Sequence, residues 1–201
     1  EALYLFGMSG ALPVFQLGWW WTLFTATWLH GNLLHIVFNM MWVRDLGSAM
    51  VDFVGTSRTI IIYTVSGACG FLLSSVAGVA LSGVPIPLLH GASNTVGASA
   101  AIFGLLGAMV HYGRKGGGSS FVYSTAMRYA VILFVFGLIM SGVDNFAHAG
   151  GFVGGYATSA FLKPNTRESG DHMIGAAVSV AVTLAALIYS VVHNLPLLLQ
   201  R

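Results

Sequence analysis

Charge is what this sequence has least of. Eight Lys or Arg and six Asp or Glu are spread over 201 residues, leaving a formal charge of +2. A nucleic-acid partner needs a clustered basic face, so this scatter excludes one. The isoelectric point near 8.9 therefore says nothing about a ligand. Cysteine is nearly absent too. Cys69, in the apolar run SGACGFLL, stands alone, which rules out an internal disulfide and a cysteine metal site and leaves it a packing role. No metal and no cofactor is expected. The opening EALYLFGMSG has neither the basic start nor the small-residue cleavage site of a signal peptide.

What fills the chain instead is apolar. Hydrophobic residues make up 56% of it, and the mean hydropathy of +0.82 is that of a membrane protein. Residues 1–32 are apolar but broken by Gly7, Gly10, Pro13 and Gly18, and they carry Trp19, Trp20, Trp21 and Trp28. Indole has an apolar body and a polar tip, so this segment suits the bilayer interface better than a span. Apolar segments follow at 33–53, 59–80, 97–112, 126–142, 145–162 and 173–195. Their lengths are near the roughly 17 to 25 residues that cross a bilayer. The expected fold is an all-α polytopic bundle of six transmembrane helices, the third and fifth short, in a single membrane domain over residues 1–201.

Arg58, Arg114, Lys115, Arg128, Lys163 and Arg167 fall at alternate helix ends, while residues 1–32, 81–96 and 141–145 hold no Lys or Arg. The excess of positive charge marks cytoplasmic loops, so the first, third and fifth helices should run from the outer face inward. Arg44 and Asp45, inside the first helix, read as a snorkelling arginine beside a locally paired carboxylate.

Polar side chains within lipid-spanning helices are functional candidates, because each needs a partner there. His35 and Asn39 begin the first helix four residues apart, on one face and about 6 Å apart along the axis. Ser99 begins the third helix two residues past Gly97, and His148 begins the fifth four residues past Asp144. All four then lie at nearly one shallow depth. A serine and a histidine at equal depth on neighbouring helices can act as nucleophile and general base, with His35, Asn39 and helix-start N–H groups as oxyanion donors. Taken singly, each has a plainer reading: serine as a small packing residue, histidine as an interfacial side chain, His35 with Asn39 as an interhelical tie. Small residues at Gly97, Ala101, Gly104 and Ala108, and at Gly151 and Gly155, would let the third and fifth helices approach closely. Within HGASNTVGASAAIFG, residues 90–104, the tripeptide GAS occurs twice. Ser93 precedes Asn94 and Thr95 in a loop, where side chains favour turns, whereas Ser99 opens an unbroken apolar run.

The segments HIVFN, GASAAIFG and AHAGGFVGG, in that order, resemble the signatures of the rhomboid intramembrane serine proteases, over about Trp21 to Leu162. The resemblance implies Ser99 as nucleophile, His148 as general base, and His35, Asn39 and the Gly97–Ser99 backbone around the oxyanion. It implies a supporting role for His30, an aromatic ring against the catalytic histidine at Phe103, and a common asparagine at Asn145. Rhomboids use a Ser–His dyad, so Asp144 is left as a helix N-cap. The implied organisation is an external loop at 1–32, a catalytic core at 33–162 and an additional helix at 173–195. In the family a first transmembrane helix precedes the Trp-rich loop and nothing here corresponds to it; this chain is then a truncated or processed piece, or is numbered from within a longer one, and with that helix restored the six here would make a seven-helix protein of the six-plus-one type. Further departures are Ala100 after the serine, Thr22 after Trp21 in place of Trp-Arg, and Val51 with Asp52 where a glutamate is usual. The implied partners are transmembrane-protein substrates and the lipid bilayer, in a bacterial plasma membrane with the site opening to the outer face. An inactive rhomboid-like protein that binds transmembrane segments is the alternative. A proton-relaying transporter would need deep charges and an inverted repeat, and the sequence shows neither convincingly.

Overall fold

The computed structural model describes residues 2–84, 91–115, 119–163 and 166–199. Parts of the expected loops, at 85–90, 116–118 and 164–165, lie outside the described residues. Two short helices, α1 (Ala2–Leu5) and α2 (Thr22–Thr25), precede six long ones: α3 (Leu33–Val54), α4 (Thr56–Ala80), α5 (Ser99–Lys115), α6 (Ser120–Ile139), α7 (Asn145–Phe161) and α8 (Gly170–Leu199). A π-turn at Leu12–Gln16 and a 3-10 turn at Ala26–Trp28 complete the first segment, and no strand occurs among the described residues. By length and composition α4, α6 and α8 are long and apolar enough to cross a membrane.

Polar caps set several boundaries. The Asn32 side chain accepts from the His35 N–H at 2.9 Å and starts α3, and Ser119 does the same for Val122 N–H and α6. α6 therefore begins at Ser120 and ends at Ile139, displaced from the expected 126–142. Hydropathy had marked only its apolar part, but Ser124 turns its hydroxyl back onto the Phe121 carbonyl and leaves the helix unbroken. For the same reason α8 extends past the apolar stretch 173–195 at both ends and keeps Pro196 inside it. The third and fifth long helices, α5 and α7, are short as expected, at 17 residues each.

α5 is the central post. Every residue from Ala100 to His111 on it is buried. Lipid tails are as apolar as leucine, so helices in a bilayer gain from close packing more than from hydrophobic transfer. That packing is tightest between α5 and α7. A Cβ added at Gly151 would run into the Ala100 carbonyl, and one at Gly155 into Gly104. The α5 stripe that meets α7 is thus Ala100, Gly104 and Gly107. This corrects the expected stripe through Gly97, Ala101, Gly104 and Ala108: Gly97 precedes the helix, and Ala101 turns instead toward Gly67 of α4. Cys69 packs against Gly154.

The two ends of the bundle differ in chemistry. At the end away from Ser99, Arg58 is only 2% exposed. Its guanidinium donates to the Val54 carbonyl at 3.0 Å, the Thr166 hydroxyl at 2.9 Å and the Arg167 carbonyl at 3.2 Å. Glu168 accepts from the Arg58 N–H at 2.9 Å, at the start of α4. Arg44 and Asp45 pair at 2.8 Å on the exposed face of α3, as their adjacency predicts. At the Ser99 end the helices are joined by the first segment, the 91–98 turn and the Asp144 carboxylate.

Candidate active site

The site is assembled where α3, α5 and α7 all begin. Asp144 caps α7: its carboxylate accepts from the Ala147 N–H at 3.0 Å and from the Ser74 hydroxyl at 2.6 Å, and its carbonyl accepts from the His148 N–H at 3.1 Å. Ser74, fully buried in α4, accepts in turn from the Ala92 N–H at 3.2 Å. The cap thus fixes the height of His148 relative to both α4 and the turn that leads to Ser99. Sequence reasoning did not single out Ser74. Its signal was present, as one of two adjacent serines in an otherwise apolar helix.

The His148 ring lies flat on Phe103, with centroids 4.2 Å apart and planes 14° apart. Both residues are buried, and Nδ1 of His148 has no hydrogen-bond partner. Ser99 is the first residue of α5 and remains partly exposed. Next to these two residues, Ala100 and Ala147 share a buried cluster, and the two helices touch where Gly151 meets the Ala100 carbonyl. No hydrogen bond joins Ser99 Oγ to His148. Catalytic contacts in unliganded enzymes are often long and tighten with substrate.

His35 is oriented by its backbone surroundings. Its Nδ1 accepts from the Gly31 N–H at 3.3 Å, which leaves Nε2 as the protonated, donating nitrogen. That nitrogen lies against Gly97, where a Cβ would come within 2.7 Å of it and 3.8 Å of Ser99 Oγ. Gly97 has φ +134°, a conformation side chains rarely adopt. Glycine is therefore required there both by its backbone and by the ring. Asn39 is buried and gives one amide N–H to the His35 carbonyl at 2.8 Å, so its second N–H is the one free to serve a ligand.

His30 stacks edge-on against His35 with centroids 5.1 Å apart. Burial first, and then the neighbouring His35, lowers its pKa from the ordinary histidine value, and neither of its ring nitrogens has a hydrogen-bond partner. Asn145 packs its buried side-chain oxygen against Gly137 of α6. A cavity of about 780 Å³ opens over this region, lined by Met8, His35, Asn94, Val96, Met140 and Asn145 among others. Neither Ser99 nor His148 lines it. Of the eight sequence-selected residues, His30, His35, Gly97 and Ser99 adjoin one another, and Phe103 joins His148. Asn39 points first to its own helix and Asn145 toward α6.

A Rhomboid domain family model matches residues 17–165 of this geometry. The chain belongs to the rhomboid family. It is 31% identical to rhomboid protease GluP of Bacillus subtilis (strain 168), over 94% of this chain and 35% of that protein. It is 37% identical to RHOMBOID-like protein 7 of Arabidopsis thaliana, over 71% of this chain and 42% of that protein. Against putative rhomboid protease YdcA of B. subtilis it is 31% identical, over 75% of this chain and 71% of that protein. The chain thus spans well under half the length of the first two relatives. Rhomboid membership and the apolar helices make it an integral membrane protein.

Proposed function

We propose that this rhomboid-family protein is an intramembrane serine endopeptidase that cuts peptide bonds in or near transmembrane segments of membrane-protein substrates. The observation that carries the reading is the convergence of Ser99, His148 and the oriented His35 Nε2 at the starts of three packed helices. Ser99 Oγ attacks the scissile carbonyl while His148 takes its proton; the oxyanion is met by His35 Nε2–H, the free Asn39 N–H and the Ser99 backbone N–H. Collapse of that intermediate breaks the C–N bond, and His148 returns the proton to the leaving amine. Water then hydrolyses the acyl-enzyme by the same route. Phe103 holds the His148 ring, His30 and Asn145 support the surroundings, and Gly97 gives the substrate room beside His35. The small change to Ala100 keeps the contact with Gly151.

The same reading takes α3 to α8 as six spans, with residues 1–32 as an external interfacial loop, 33–162 as the catalytic core and α8 as an additional helix. Of the basic residues expected at helix ends, Arg58, Arg114, Lys115, Lys163 and Arg167 gather at the end opposite Ser99, while Arg128 lies within α6; that gathering supports a site opening to the outer face of a bacterial plasma membrane. α3 and α6 do not lie along one another among the described residues. The edge-to-face pair Trp42–Tyr129, with centroids 5.4 Å apart, bridges them. A substrate segment would reach the cavity by this flank.

The missing Ser99–His148 hydrogen bond favours a second reading, a rhomboid-like protein that binds transmembrane segments without cutting them. Purified protein incubated with a helix-destabilised single-pass substrate separates the two. Cleavage by the wild type, abolished in Ser99→Ala and in His148→Ala, is expected. Full cleavage by Ser99→Ala removes Ser99 as nucleophile, and no cleavage by the wild type leaves the binding reading.

A further inference from the structure

α8 lies outside the residues that make the chemistry, yet it carries a buried polar edge. Ser190 and Asn194, one turn apart, are 0% and 3% exposed in a helix of largely apolar composition. Such residues are costly in a lipid-facing helix and call for partners. Their partners are the carbonyls that end α1, which have few intrahelical donors available. Ser190 donates to the Leu5 carbonyl at 3.1 Å, and Asn194 donates to the Tyr4 carbonyl at 2.9 Å. Beside them Trp21 packs edge-on to Tyr189 at 4.6 Å and meets His193 at 5.1 Å. Two of the tryptophans expected at the bilayer interface, Trp19 and Trp21, therefore dock α8, while Trp20 and Trp28 stay exposed.

The segment that α8 holds is in turn bonded to the turn before Ser99. Tyr4 gives its hydroxyl to Asn94 Oδ1 at 2.9 Å. Ser9 and Thr95 exchange N–H···O bonds at 3.1 and 2.7 Å, and the Ala11 and Leu12 N–H groups donate to the Ala92 and Ser93 carbonyls at 3.0 and 3.1 Å. The Gly97 N–H donates to the Ala26 carbonyl at 3.0 Å. Ser99 thus stands two residues from a backbone that is tied at five points to the first segment, and the first segment is tied to α8.

We infer that α8 is a clasp for the nucleophile: Ser190 and Asn194 are positioning residues that act through Tyr4 and residues 9–12 to hold the 92–97 turn in register. This rests on Ser99 being the nucleophile. Misplacing a reacting group by about 1 Å can cost on the order of a hundredfold in rate, and loosening one of several ties should cost less.

The test measures the rate at which a small fluorophosphonate labels Ser99 in the full chain in detergent, per folded molecule. Asn194→Leu should slow labelling and kcat by about tenfold with KM little changed, and Asn194→Gln should recover part of the loss. Tyr4→Phe keeps every α8 contact and cuts only the bond to Asn94, so it should slow labelling several-fold without shifting thermal unfolding. The two losses should be less than additive in the double variant, since they share one path. Wild-type labelling rates in folded Asn194→Leu and Tyr4→Phe, or full additivity, would overturn the clasp while leaving the protease reading intact. Wild-type protein that fails to label at Ser99 would overturn both.

Discussion

The α5–α7 contact and the α3–α6 flank are opposite solutions in one bundle. Between α5 and α7 the backbones touch, with Gly151 against Ala100 and Gly155 against Gly104. Between α3 and α6 the ring pair Trp42–Tyr129 bridges helices that leave Leu34, Phe38, Val135 and Ile139 exposed. Glycine contacts have no side chain that can swing aside, so they fix relative height. A ring pair can part and reform. The difference assigns the two functions of the proposed enzyme to two places: the rigid contact keeps Ser99 and His148 level, and the separable flank lets a helix approach.

Gly155→Val attacks the rigid side most directly. The added side chain has only the Gly104 backbone to displace, so a loss of more than about 3 kcal/mol is expected. Thermal unfolding in detergent would show it as a collapse of the melting temperature or no folded protein at all. Asp144→Ala acts on the same side more gently. It removes the cap of α7 and strands the Ser74 hydroxyl, costing about 1 to 2 kcal/mol and lowering His148-dependent labelling. Asp144→Asn, which keeps a cap, should recover most of both. Trp42→Ala tests the separable side, where the ring pair itself is worth about 1 kcal/mol. Cleavage of a helical substrate should hold or rise while the labelling of Ser99 by a small phosphonate stays unchanged. A fall in both readouts would mean that the flank also positions the dyad.

The parts of this architecture legible in the sequence are those with a local signature. His35 and Asn39 at helical spacing, the run after Ser99, and Asp144 four residues before His148 each declare a helix start, and the structure places helix starts there. The pairing of small residues was legible only as a class. Which glycines meet depends on the rotation of α5, and that is set by all its neighbours at once; hence Gly107 was overlooked and Gly97 misassigned to the stripe. Backbone bonds such as Ser9 to Thr95 carry no side-chain signal and could not be read. Ser190 and Asn194 did carry one, since an amide and a hydroxyl four apart in an apolar helix require a buried partner. The sequence could not name that partner, because it lies some 185 residues away.

The central claim is that the second GAS, and not the first, holds the reactive serine. Mapping a fluorophosphonate adduct on the intact protein by peptide mass spectrometry tests it directly. The adduct is expected on Ser99 alone, at full loss in Ser99→Ala and near-complete loss in His148→Ala. An adduct on Ser93, or labelling that survives Ser99→Ala undiminished, would contradict the account.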